Sequence, residues 1–291
     1  MGQNALRPRK RPFLETGSVV MSLNSVNTNV GAMTALQSLS ATNAAFDRIR
    51  SRVSTGLKVA SVRDDGATWA IAQTQRAEQR SFDAVIGSIQ RGQAVIDVAM
   101  AAGEAIADIL PQMKQVALHI TSGDLPNSAT LALTAEYFAL RDQIDAAAAG
   151  ATFDGMNLIS GGGTDAIKAL AGVGGGSTID IAHEDLSTSG AASQVLDYSS
   201  GYVTIGDIDA AIASVGEAMA RLGTGAKALE THLTFVRKQQ DAVEVGVGRL
   251  VDADLARDSA LFQSLQVKQQ LAVQALGIAN RSPSSLIQLF Q

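Results

Sequence analysis

Two adjacent carboxylates, Asp64 and Asp65, stand in the run Ser61-Val62-Arg63-Asp64-Asp65-Gly66. Paired carboxylates can serve general acid–base or metal chemistry. Adjacent side chains diverge on regular structure, however, and no histidine or third acid lies near them in the sequence. Ser61 and Asp64 have capping-box spacing, so the stretch reads as a punctuated bend that opens a helix. The three histidines, His119, His183 and His232, are scattered, and His183-Glu184-Asp185 is an isolated loop triplet. The glycine runs 161–163 and 174–176 lack the following Lys-Ser/Thr and the strand–loop–helix context of a phosphate loop, so they read as turns. No HExxH, GxSxG, Walker or dinucleotide fingerprint occurs. The expectation is a chain with no catalytic, cofactor or metal site, and not an enzyme.

Composition narrows the class further. The 291 residues are 46% hydrophobic but only 4% aromatic, with a net charge of −5 and no cysteine. Disulfide and thiolate chemistry are therefore excluded. Few aromatics suit helices packed at close range better than a large globular core. No run of 18 apolar residues suggests a membrane span. Arg7, Arg9, Lys10 and Arg11 cluster in residues 1–20. No apolar segment follows to complete a secretory signal. A nucleic-acid tag is the sharper alternative, but the preferred reading is a basic extension ahead of a start at Met21, with no nucleic-acid partner.

The elements follow from periodicity. Ile208, Ile212, Val215, Met219, Leu222, Ala226, Leu229, Leu233, Val236, Gln240, Val243, Val247 and Leu250 recur at alternating steps of four and three. Such a heptad stripe faces a partner helix. At about 1.5 Å per residue the rod is roughly 65 Å long. Its partner is the helical region from about Ala67 to Ser122, with the seam Phe82, Val85, Ile89, Gly92, Ile96, Ala99, Gly103, Ile106, Leu110, Met113, Ala117 and Ile120. The seam glycines would let another backbone come close, and Pro111 should kink or break this helix. A shorter helix follows, with Leu133, Tyr137, Leu140, Ile144 and Ala147 on one face.

The terminal segments are also helical. Before Gly56, a seam reads Ala32, Leu36, Leu39, Asn43, Phe46, Arg50, Val53 and Leu57, its polar members setting register. A last helix from Asp254 to Asn280, capped by Asp252 or Asp254, carries Leu261, Leu265, Leu271, Ala275 and Ile278, and should break at Asn280-Arg281-Ser282-Pro283. The chain closes on the apolar Leu286, Leu289 and Phe290, which make sense if neighbouring molecules bury them. Between the two long rods, residues 177–183 alternate like a strand. Ser177, Thr178, Ser187, Thr188, Ser189, Ser193, Ser199 and Ser200 make the centre hydroxyl-rich, as exposed loops are. The fold class is mainly α: an elongated helical bundle or coiled coil with a short β-containing central segment.

Four stretches together resemble bacterial flagellin. They are Val26-Asn27-Thr28-Asn29; Val53-Ser54-Thr55-Gly56-Leu57-Lys58-Val59-Ala60-Ser61 followed by Asp64-Asp65; Ala151-Thr152-Phe153-Asp154-Gly155-Met156-Asn157-Leu158; and Asp252-Ala253-Asp254-Leu255-Ala256 with the Gln-rich stretch from Gln266 to Gln274, Pro283 and the apolar tail. Departures are Gly66-Ala67-Thr68-Trp69, where the family commonly has Ala-Ala-Gly, and Gln112, where receptor-recognised members carry Arg. The short centre implies that large outer domains are missing.

The resemblance implies a subunit that polymerises into the flagellar filament, with a hook–filament junction protein as the alternative and a signalling or adhesin coiled coil behind it. It implies that segments 21–62 and 252–291 pair as an inner filament core. Leu36, Leu39, Phe46, Val53, Leu57, Leu261, Leu265, Leu271, Ile278, Leu286, Leu289 and Phe290 would pack that core. Gly56, Arg63, Asp64 and Asp65 would form the bend. Residues 63–160 and 203–251 would make a surrounding rod layer with the seam Ile89, Ile96, Ile106, Leu110, Leu222, Leu229, Leu233 and Val236, and 161–202 would face solvent. Export through the flagellar type III channel, a chaperone on the C-terminal helix, hook-associated and cap proteins, mixing with sister flagellins, and O-linked glycans on the central hydroxyls are further implications.

Overall fold

A computed structural model describes residues 28–122, 126–163, 166–188 and 205–288, with side chains of the last segment described to Arg281. The extension 1–20 and the hydroxyls Ser189, Ser193, Ser199 and Ser200 lie outside the described residues, as do Leu289 and Phe290, and only the backbone of Leu286 is described. Among the described residues five helices and one two-stranded sheet form two units, one on either side of the 65–251 span, from residues 28–64 and 252–288, the other within residues 65–251.

The terminal unit is a helix pair. Helix α1 (Val30–Thr55) starts at Asn29, whose Oδ1 accepts the Ala32 amide at 2.9 Å, and stops at Gly56. Gly56 takes φ 71°, where its N–H donates to the Arg52 carbonyl at 2.8 Å. A side chain would strain that left-handed position, which is why glycine ends the helix. Helix α5 (Leu255–Gln288) is opened by Asp254, whose Oδ1 accepts the Ala256 and Arg257 amides. The two helices run antiparallel, with Phe46 stacked on Phe262 and Gln269 Nε2 donating to Asn43 Oδ1 at 2.9 Å. Asn43, a polar residue of the expected seam, thus faces α5.

Two sequence expectations fail in this pair. Helix α5 does not break at Asn280–Pro283 but continues to Gln288. Proline's fixed φ is itself helical, so the cost is one missing N–H and crowding of the turn before it. The seam phase also differs. The α1 residues turned inward follow Ala32, Ala35, Leu39, Thr42, Phe46 and Ile49, while Leu36, Arg50 and Val53 are exposed. On α5 the inward row is Asp258, Phe262, Leu265, Gln269, Ala272, Leu276 and Ala279, while Leu261, Leu271 and Ile278 point out. Both phases fit a 3.5-residue period. Small alanines let the helices approach closely, so the bulkier leucines lie outside the contact.

The second unit is built on α2 (Gly66–Thr121) packed antiparallel against α4 (Ile205–Val251). Two polar ties span them: Gln240 Nε2 donates to Asp83 Oδ1 at 2.7 Å, and Lys114 Nζ pairs with Asp209. Their spacing is 31 residues on both helices, Asp83 to Lys114 and Asp209 to Gln240, so one register satisfies both. Helix α2 runs through Pro111 without a break. Helix α3 (Asn127–Gly150) packs on α2 through Tyr137, Ile144 and Ala148. Burial of the Tyr137 ring pushes its hydroxyl pKa up to about 12.

Strands β1 (Ile167–Leu170) and β2 (Thr178–Ile181) pair antiparallel in register Ile167 to Ile181. The expected strand at 177–183 is thus β2, and its partner occupies the Ala-rich piece between the glycine runs. Seam glycines receive this hairpin. A Cβ on Gly92 would stand 3.0 Å from Ile167 Cγ2 and 3.3 Å from Leu229 Cδ1, and one on Gly225 would meet Ile181 at 3.1 Å. At Gly103 the space is filled by Met219 Sδ, 2.2 Å from such a Cβ. Side chains, not another backbone, approach these glycines.

Candidate assembly surface

The bend is the first element the sequence singled out. Asp64 Oδ2 accepts from the Ala60 and Ser61 amides at 3.1 and 2.9 Å and from the Ser61 hydroxyl at 3.1 Å. The Ser61 amide, then its hydroxyl, holds the Asp64 carboxyl below its ordinary value of 3.8. Asp65 is a separate device. Its Oδ1 accepts the Ala67 and Thr68 amides and its Oδ2 the Thr68 hydroxyl, which caps α2. Ser61 and Asp64 close the turn, but the helix cap is Asp65. The two carboxylates are occupied by different donors, so they are structural rather than a reactive pair. Arg63 is exposed beside them.

Two contacts link the bend to the start of α5. Leu57 bridges to Asp252, and the Ala253 amide donates to the Gly56 carbonyl at 2.9 Å. Val59 is buried here and Leu57 half-buried. A further turn after α3 resembles the family pattern in sequence and has a plain cause. Asp154 and Gly155 take φ 51° and 78°, and Phe153 and Met156 exchange backbone hydrogen bonds, as the two central residues of a type I′ turn require. Asn157 then caps the end of α3 by donating to the Ala148 and Ala149 carbonyls.

The eight rod-seam residues, Ile89, Ile96, Ile106, Leu110, Leu222, Leu229, Leu233 and Val236, all lie in one buried cluster of the second unit. The terminal unit has no such cluster. Among the described residues its only buried apolar side chains are Ile49, 9% exposed, and Val59, 5% exposed. Its remaining apolar side chains divide between the α1–α5 seam, where Leu39, Phe46 and Leu265 are half-buried, and an outward stripe. The exposed large side chains are Met33, Leu36 and Val53 on α1, and Leu255, Leu261, Val267, Leu271, Val273 and Ile278 on α5, spread over the parts of both helices outside their contact. Leu36 and Leu271 are each 57% exposed and Ile278 is 72% exposed. Leucine and isoleucine this exposed along both helices of one pair form a surface that water solvates poorly.

The central hydroxyls separate into two groups. Ser177 and Thr178 are exposed. Ser187 is buried and its Oγ donates to Asp185 Oδ1 at 2.6 Å, while the Thr188 hydroxyl donates to Asp145 Oδ2 at 2.7 Å. These two are not free loop hydroxyls, because the 184–188 segment is tied down. The Glu184 and Leu186 amides donate to the Leu158 and Ile159 carbonyls, and Arg221 forks onto Glu184. Among the described residues no cluster of His, Cys, Asp and Glu could hold a metal ion, and no helix is long and apolar enough to cross a membrane.

The family described as the bacterial flagellin N-terminal helical region matches residues 26–164, and the bacterial flagellin C-terminal helical region matches residues 205–290. Over 273 residues the chain is 45% identical to flagellin FljK of Caulobacter vibrioides, covering 93% of this chain and 100% of that relative. The chain belongs to the bacterial flagellin family. Flagellin FljM of the same organism is 46% identical over 275 residues, again with 93% and 100% covered. A flagellin of Brucella melitensis is 29% identical over 281 residues, with 92% and 99% covered. This flagellin is a structural subunit of the bacterial flagellar filament. Because those relatives are covered end to end and named as flagellins, a signalling or adhesin coiled coil is set aside. No large outer domain separates α3 from α4.

The sequence reading missed part of this helix pair. Gln269, Ala272, Leu276 and Ala279 form the true inner face of α5, although the row at steps of four and three was readable from Asp258 onward. Of the expected α5 row only Leu265 lies on it; Leu261, Leu271, Ala275 and Ile278 are exposed.

Proposed function

We propose that the flagellin polymerises by laying the outward apolar stripe of α1 and α5 against the same helices of neighbouring copies, and that the terminal unit reaches full stability only there. Segments 21–62 and 252–291 form the filament core in this reading. Residues 63–160 and 203–251 form a rod layer around it, and 161–202 is the solvent-facing segment. Leu36, Val53, Leu261, Leu271 and Ile278 pack between subunits. Leu39, Phe46, Leu57 and Leu265 pack within one. Leu286, Leu289 and Phe290 complete the core at the chain end. The observation that carries the reading is the contrast, among the described residues of the terminal unit, between two buried apolar side chains and ten large exposed ones, nine of them on α1 and α5 and the tenth Val62.

Ordering a residue costs roughly 1–2 kcal/mol. Burying apolar surface returns about 25 cal/mol per Å². A helix pair with so little buried surface gains stability from partners that cover its outer face. A contact that repeats between unlike surfaces does not close, and so builds a helical filament.

The remaining partners belong to the same reading. The subunit travels unfolded through the flagellar type III channel to the cell exterior, an export chaperone covers the C-terminal helix beforehand, and hook-associated and cap proteins bound the filament ends. Caulobacter vibrioides has several related flagellins, FljJ, FljK, FljM, FljN and FljO, and a mixed filament with sister subunits is consistent with that. The glycan acceptors, if any are used, are Ser177 and Thr178 and the hydroxyls at Ser189, Ser193, Ser199 and Ser200, with Ser187 and Thr188 removed by their hydrogen bonds. Negative-stain microscopy of purified residues 21–291 under seeded or salting-out conditions tests the reading, beside a chain lacking 270–291. Filaments from the first and none from the second are expected. Filaments from both would remove the C-terminal helix from the assembly, and filaments from neither would favour a junction role.

A further inference from the structure

Helix α5 continues past Pro283, and that proline has no N–H to donate to the carbonyl four residues earlier, at Ala279. A carbonyl left without its helical partner needs another donor. The donor comes from the other helix: Asn29 Nδ2 reaches the Ala279 carbonyl at 2.7 Å. The same side chain uses its Oδ1 to cap α1 at the Ala32 amide, 2.9 Å away. One primary amide therefore starts α1 and fills the vacancy that a proline makes in α5.

We propose that Asn29 and Pro283 act as a coupled register lock for the terminal helix pair. Within α5 only Pro283 lacks the N–H that would serve the carbonyl four residues earlier, so a carbonyl short of its helical donor faces Asn29 in this alignment of the helices. A slip of one turn would move the α5 stripe about 5.4 Å along the α1 stripe. It would also leave the Ala279 carbonyl without a donor. Asn29 is a positioning residue: it fixes which outward side chains stand abreast before a neighbouring subunit meets them. Its importance for assembly rests on the polymerisation reading above, but the lock itself does not.

The chain has no cysteine, so an introduced pair reports without background. A Cβ on Gly31 would lie 4.0 Å from Ala279 Cβ, close to the separation of about 3.8 Å that a disulfide takes. The full-length chain carrying Gly31→Cys and Ala279→Cys is oxidised under limiting oxidant, and the rate of intramolecular closure is read in four backgrounds. These are the unchanged chain, Asn29→Ser, Pro283→Ala, and both together. Serine keeps a good N-cap but is too short to reach across. Losing one such hydrogen bond should slow closure about three- to tenfold where Pro283 is present. In the Pro283→Ala background, where the helix supplies its own N–H, Asn29→Ser should change the rate by less than about twofold.

Equal slowing in both backgrounds would reduce Asn29 to a cap of α1 and overturn the lock. No slowing in either would do the same. Filament formation by the Asn29→Ser chain without cysteines is scored separately. A wild-type chain that fails to polymerise while the cysteine rates follow the expected pattern would contradict the assembly reading and leave the lock standing.

Discussion

The two units of this flagellin carry the same heptad grammar and use it differently. In the rod unit, α2 and α4 bury isoleucine, leucine and valine along the seam between smaller alanine and glycine steps, and α3 and the β-hairpin pack on them. In the terminal unit, α1 and α5 meet through alanine, threonine, asparagine and glutamine interspersed with Leu39, Ile49, Leu265, Leu276 and the Phe46–Phe262 stack. A seam of large side chains makes a self-sufficient core. A seam of small and polar side chains makes a close, register-specific pair that turns its larger residues outward. The first kind of pairing stabilises one chain, and in the reading proposed above the second leaves a surface for copies of itself.

The largest effect should come from placing charge on the outward stripe. Leu36→Glu with Leu271→Glu is expected to abolish filament formation in a sedimentation assay while leaving the melting temperature of the monomer within about 2 °C. A monomer that melts much lower would mean these side chains support the single chain, and the comparison would break. Conversely, Leu222→Ala removes a fully buried side chain of the rod seam and should destabilise the monomer by about 2–5 kcal/mol in denaturant unfolding. The half-buried Leu265, changed to Ala, should cost the monomer much less in the same titration.

Packing on the seam glycines gives a smaller test. Gly225→Ala crowds Ile181 and should cost about 1–3 kcal/mol of rod stability, with no effect on the exchange of α1 and α5 amides. Loss of the α2 cap in Asp65→Ala should cost about 1 kcal/mol, read as fraying at Ala67 and Thr68 by hydrogen exchange.

The smallest effect is a titration. Asp64 has a folded value depressed below 3.8, so its contribution is complete above that pH and fades as pH falls through the depressed value. Ser61→Ala removes one donor but not the amide, so an NMR titration should find the Asp64 midpoint moved part of the way back up. A midpoint that does not move would show that the amide alone holds it.

Much of the fold is legible in the sequence because large apolar residues with one period leave little choice. Rod-seam positions such as Ile89, Ile96, Leu222 and Leu229 have no competing face on their helices. Gly56 was readable as a stop for its positive φ, and the Asp64–Asp65 bend as structure instead of chemistry for want of a third ligand.

The terminal pair was harder to read. Both faces of α1 and α5 carry apolar residues, and hydrophobicity alone ranks Leu36 above Ala35 and Leu271 above Ala272. Close approach between helices reverses that ranking. Pro283 misled for a related reason. It breaks a lone helix in most contexts, but here Asn29, 254 residues earlier, supplies the donor that the proline removes. Thr188 looked like a loop hydroxyl because its acceptor, Asp145, is evident only once α3 and the 184–188 segment are brought together, whereas the acceptor of Ser187, Asp185, stands two residues before it.

The central claim is that the terminal helices depend on neighbours and the rod helices do not. Hydrogen exchange on the same protein as monomer and as filament tests it most directly. Amides of α2 and α4 should be protected alike in both states. Those of α1 and α5 should exchange at least about a hundredfold faster in the monomer and slow sharply in the filament. Equal protection of α1 and α5 in the monomer would contradict the account, because the terminal pair would then be stable without the surface that assembly covers.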